Sequence, residues 1–131
     1  MEYKILILFG MIFLHVVDDF YLQPGILSNL KQKDWWKENA PNELYKHDYL
    51  AALFIHSFSW AFMVMLLPGY WAISTVGFAI IQVIIAFSLN LVVHMVVDHL
   101  KANLKKINLI QDQLIHLGQM IATWAYLVVI R

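Results

Sequence analysis

The chain alternates long apolar stretches with short polar connections. Residues 3–22, YKILILFGMIFLHVVDDFYL, are mostly apolar, and Gln23-Pro24-Gly25 stops the run because proline and glycine both disfavour a continuing helix. From Leu50 to Ser88 there is no Asp, Glu, Lys or Arg. About 20 apolar residues cross a bilayer, so this stretch suffices for two passes, with the turn expected at Pro68-Gly69. The pattern predicts helices over residues 3–22, 48–67, 71–100 and 108–130. The third is long for one span and should tilt or protrude. Between the first two helices, residues 23–47 interleave Leu, Ile and two Trp with Lys, Asp and Glu. Trp favours the membrane–water boundary, so a short interfacial helix is expected there. The fold expected is all-α: one integral membrane four-helix bundle over residues 1–131.

Composition agrees with that reading. The chain is 61% hydrophobic and 14% charged, more apolar than an average soluble domain. It has no cysteine, which excludes disulfides and thiolate metal sites. Its net charge is zero, so nothing points to nucleic acid. The first apolar run has Lys4 alone as a basic flank and no small-residue cleavage site, and reads as a retained membrane helix. Seven of the nine basic residues (Lys31, Lys33, Lys37, Lys46, Lys101, Lys105 and Lys106) fall on one side of the predicted membrane; Lys4 and Arg131 fall on the other. The positive-inside rule then places both polar connections in the cytoplasm and both termini outside.

Against this apolar background a polar pattern recurs. His15 and Asp19, His94 and Asp98, and, in reverse order, Asp112 and His116 are each four residues apart, on one face of a helix. His56 stands alone in the second helix. With a rise of about 1.5 Å per residue, the four histidines lie about two turns from the cytoplasmic end of their helices, and the three aspartates about one turn. The reversed order in the fourth helix is what an antiparallel helix needs to match its neighbours. A lone intramembrane histidine is more often a hydrogen-bonded structural residue, but seven groups on two matched levels point to one shared site. Imidazole and carboxylate suit a divalent metal such as Zn, Mn or Fe, and seven groups suffice for one or two ions. The metal candidates are His15, Asp19, His56, His94, Asp98, Asp112 and His116. Asp18, a third of a turn from Asp19, is a further ligand candidate or a cytoplasmic-rim residue. Asn90 and Gln119 extend the polar face outward as groups that support the ligands. Without metal, the alternative is a proton-bearing His/Asp network.

HVVDDFYLQ resembles the opening motif of a bacterial and phage family of small membrane proteins, the domain of unknown function 3307. That resemblance extends through His15, Asp19, Phe20, Leu22 and Gln23, then His56, then His94, Asp98 and Lys101, then Asp112, Gln113 and His116. It implies membership, a bacterial inner-membrane multi-pass location and the key positions, but no reaction. A looser likeness to membrane-bound metal-dependent hydrolases rests on His and Asp in apolar helices. Cation diffusion facilitators share paired H-x3-D elements, yet have six helices and a cytoplasmic domain that this chain lacks.

Three functions follow. The favoured one is a metal-dependent hydrolase at the cytoplasmic face acting on a phosphoester or lipid-like substrate, with metal-activated water. Lys101, Gln23 and Gln113, with Lys31 and Lys46 in support, would hold an anionic head group. The second is a metal-ion or proton transporter, which the almost wholly apolar outer half of every helix disfavours. The third is a structural or regulatory protein whose metal staples four helices together. The partners expected are the bilayer, a lipid or anionic small molecule, and a second copy of the chain.

Overall fold

The computed structural model describes residues 2–23, 25–78 and 80–130. Pro24 of the predicted helix stop and Arg131 of the charge comparison lie outside the described residues. Every described element is helical. Helix α1 (Glu2–Val17) passes into a π-helical turn (Asp18–Leu22), and two short helices follow, α2 (Ile26–Leu30) and α3 (Lys33–Asn39). A 3-10 turn (Glu43–Tyr45) leads into α4 (Asp48–Trp71), which continues as a π-helical turn (Ala72–Val76). Helix α5 (Ile80–Ala102) and α6 (Leu109–Trp124, with a π-helical end Ala125–Val129) complete the chain.

Two boundaries differ from the pattern-based expectation. The second long helix does not turn at Pro68-Gly69: both residues are buried within α4. The reversal comes instead at Gly77, whose φ of 77° lies in the left-handed region that glycine adopts without penalty. The third helix accordingly begins at Ile80 rather than residue 71. The interfacial helix is two helices rather than one, broken at Lys31 and Gln32, where Gln32 is extended.

Three helical stretches are long and apolar enough to cross a membrane: Glu2–Leu22, Glu43–Val76 and Ile80–Ala102. Helix α6 carries Gln111, Asp112, Gln113, His116 and Gln119, which dilute its apolar character. The four long helices pack in ring order α1, α4, α5, α6, with α2 and α3 against α4. Met11, Trp60, Val64, Met65, Met120 and Leu127 belong to the apolar core. Polarity is otherwise inverted relative to a water-soluble domain. Phe9, Phe13, Ile84 and Leu89 are each more than half exposed, whereas His15, His56, His94, His116, Asp18, Asp98 and Asp112 are buried. An apolar exterior on helices of spanning length makes this a membrane-associated protein.

The lysine-rich polar connections are tied together. Lys33 N–H donates to Asn103 Oδ1 (2.6 Å), and Asn103 Nδ2 donates to the Lys31 carbonyl (3.0 Å). Lys105 pairs with Asp34 (3.1 Å), and Lys105 and Lys37 together hold the Asp34 carboxyl below its ordinary range. Asn108 caps α6 through a reciprocal box with Gln111, which fixes where the first turn of α6 places Asp112.

Candidate metal centre

Each long helix delivers one histidine to the same region. His15 comes from α1, His56 from α4, His94 from α5 and His116 from α6, none more than 4% exposed. Asp98 and Asp112 sit one turn away on α5 and α6, also buried. The π-helical turn at the end of α1 changes the expected geometry of Asp18 and Asp19. Its i→i+5 pairing adds a residue to the turn, so adjacent side chains diverge less than in an α-helix. Both aspartates therefore face inward: Asp18 is fully buried and the Asp19 side chain is 11% exposed.

Two groups of donors converge. Asp19, His56 and His94 form one; His94, Asp98 and His116 form the other; within each, the ligand atoms lie within 4.8 Å of one another. His116 Nε2 is 3.3 Å from Asp112 Oδ1 and 3.7 Å from Asp98 Oδ1. Ligands about 2.0–2.1 Å from a zinc ion are themselves about 3–3.5 Å apart, so the spacing suits an ion with small adjustment. Asp19 Oδ1, Asp112 Oδ1, His94 Nδ1 and both ring nitrogens of His116 are buried without a hydrogen-bond partner. Each such group costs about 1–3 kcal/mol if left so, and a divalent cation would satisfy several at once. The cluster can coordinate one or two metal ions.

The histidines are braced by groups with defined roles. Gln23 Nε2 donates to Asp18 Oδ2, and its Oε1 accepts from His56 Nδ1. That fixes the His56 tautomer and turns the Nε2 lone pair toward Asp98, His94 and Asp19. Ser59 Oγ donates to the other Asp18 oxygen (2.6 Å). Asp18 is thus engaged in holding Gln23 rather than facing the rim, and Gln23 is placed behind His56 rather than at a substrate mouth. Gln113 has the corresponding place on α6: its Oε1 accepts from His15 Nε2 (2.9 Å) and its Nε2 donates to Asp112 Oδ2 (3.1 Å). Trp60 Nε1 donates to His15 Nδ1 (2.6 Å), so both ring nitrogens of His15 are engaged. The Trp60 ring also stacks on His94 (4.2 Å between centroids), and His94 stacks on His116 (4.1 Å).

Two lysines enter the cluster. Lys31 Nζ is 2.6 Å from Asp98 Oδ2 and 3.3 Å from His56 Nε2; Lys101 Nζ is 2.6 Å from Asp112 Oδ2. Lys46 pairs with Glu43 on the exposed edge and is not brought to the cluster. Asn90 bonds Thr123 (2.9 Å) and accepts from Gln119 (3.0 Å at its side chain), one turn beyond the histidines. Trp60 and Ser59 carried no signal in the sequence pattern. Both follow the lone His56 on α4, and their contacts are made across helices.

No curated protein and no solved structure is significantly similar to the chain. The family model described as protein of unknown function, DUF3307, matches residues 7–131, nearly all of the bundle and every group of the cluster, and the chain belongs to that family.

Proposed function

We propose that the protein is a multi-pass inner-membrane, metal-dependent hydrolase, with its His/Asp site near the cytoplasmic face. In this reading residues 1–131 form one four-helix transmembrane domain, with α6 as the fourth span and both termini outside. The observation that carries it is the set of buried, unpartnered donors on His94, Asp112 and His116 beside Asp98. His94, Asp98, Asp112 and His116 are the ligand set supported best, with Asp19 and His56 as the second group. His15, held at both nitrogens, braces rather than ligates. A divalent ion bound there would supply a polarised water and neutralise charge on a phosphoester or lipid-like substrate. Lys101, with its side chain 26% exposed, reaches from the boundary to Asp112 and is the cation best placed for an anionic head group.

Transport is disfavoured by the outward end of the cluster. Its polar run stops at Asn90, Gln119 and Thr123, and the apolar core of Val64, Met65 and Leu127 lies beyond. The test is turnover of a panel of labelled phospholipids and small phosphoesters by purified protein with Mn²⁺ or Zn²⁺. Activity that is lost in both His94→Ala and Asp98→Asn is expected. Absence of turnover across the panel, with metal bound and the fold intact, would instead favour a metal-stapled structural protein.

A further inference from the structure

Asp98 divides its two oxygens between two positions. Oδ1 faces His116 Nε2 (3.7 Å) and His94 Nε2 (4.0 Å). Oδ2 faces His56 Nε2 at 2.9 Å. His56 Nδ1 donates to Gln23, which aims the opposite ring nitrogen, Nε2, at that carboxylate oxygen. The Lys31 ammonium is the cation beside both, 2.6 Å from Oδ2 and 3.3 Å from Nε2, on a side chain only 12% exposed. Among the described residues of the 23–47 connection no other lysine enters the cluster: Lys37 and Lys46 pair with acidic neighbours on the exposed surface.

We propose that Lys31 is a tethered cation filling the second of two cation positions, so that the protein holds one divalent metal while Lys31 is seated and two once it is withdrawn. The resident metal lies among Asp98 Oδ1, Asp112 Oδ1, His116 and His94, where donors are unpartnered. The second position lies among Asp98 Oδ2, His56 and Asp19. Lys31 is delivered there by the break between α2 and α3, and that break is clamped by Asn103, which bonds the backbone on both sides of it. Trp36 Nε1 donating to the Leu30 carbonyl (2.6 Å) holds the same corner. The α2–α3 segment is therefore the mechanical handle on the second position. This inference rests on the metal reading above and not on the hydrolase reading.

The test is equilibrium dialysis of the full-length protein in detergent against Co²⁺, with metal content measured by elemental analysis and coordination by visible absorption. Wild type and Lys31→Arg should bind one cobalt. Lys31→Met, which keeps the stem and removes the charge, should bind two. Asn103→Ala touches no ligand but frees the break, and should tighten the second cobalt about tenfold, the size of one neutral backbone hydrogen bond lost from the clamp that seats Lys31. Two cobalt ions in wild type, or one in Lys31→Met with Asn103→Ala also unchanged, would overturn the proposal. Zero cobalt in every variant would remove the metal reading and this inference with it. If Lys31→Met unfolds without metal, its thermal midpoint should be restored by cobalt, and failure of that rescue counts equally against it.

Discussion

At the residue scale, the side chains that decide the site's behaviour are the ones behind the ligands. Gln23 gives one hydrogen bond to Asp18 and takes one from His56, so it transmits the position of a buried carboxylate to an imidazole. Removing such a support weakens metal affinity about 10–100-fold. In Lys31→Met, where His56 is open to metal, adding Gln23→Ala should show that loss for the second ion in competition with a chromophoric chelator, while adding Lys46→Ala, on the exposed edge, should leave its affinity unchanged; equal affinities for all three would show that the amide does not orient His56. Trp60 acts on stability instead. Trp60→Phe keeps an aromatic ring against His94 but leaves His15 Nδ1 without its donor, at a cost of about 1–3 kcal/mol. A lowered thermal midpoint with unchanged metal stoichiometry is the expected result, and a loss of metal would return His15 to the ligand set. Much of this cluster was legible from spacing, because i, i+4 pairs declare a helix face. Lys31, Trp60 and Ser59 were not legible in these roles, since their partners lie on other helices and no local period marks them.

At the scale of elements, helix ends and turns set the depth at which each donor is presented. The apolar runs announced the four long helices, yet the reversal between the second and third was expected one helical segment too early. Proline and glycine at 68 and 69 look like a turn, but buried in a helix whose neighbours pack around it they are tolerated. Gly77 makes the turn, and nothing lies within 4 Å of where its side chain would begin. Gly77→Ala therefore meets backbone strain alone, about 1–2 kcal/mol for a left-handed residue. Thermal unfolding in detergent should register that drop, and an unchanged midpoint would mean the turn relaxes to another conformation. The capping box at α6 makes a companion case. Asn108→Ala leaves the Gln111 backbone N–H without its acceptor and should cost about 1 kcal/mol. Asp112 sits one turn past this cap, so metal affinity should fall together with stability; a stability loss with affinity intact would show that α6 is positioned by packing alone.

At the scale of the whole molecule, charge distribution and the site's depth make one joint claim. The lysine-rich connections, α2–α3 and the link from α5 to α6, are clasped together by Asn103 and the Lys105–Asp34 pair, so they lie on one side of the bundle. The cluster sits next to that side, with Lys31 and Lys101 reaching into it. If the positive-inside rule governs insertion, the lysine side is cytoplasmic and the site opens inward. The chain has no cysteine, so single cysteines report sidedness without background. Lys46→Cys, on the exposed edge before α4, should be blocked in intact cells from a membrane-impermeant maleimide and labelled after permeabilisation. Tyr70→Cys and Tyr3→Cys, both more than two-thirds exposed at the opposite end, should be labelled in intact cells. The reverse pattern would put the site on the outer face, where a cytoplasmic lipid head group could not reach it, and the substrate proposal would fail even with the metal in place. Labelling of Lys46 and Tyr70 from the same side would go further, because α4 would then not cross the membrane, and the matched depths of the four histidines would lose their frame of reference.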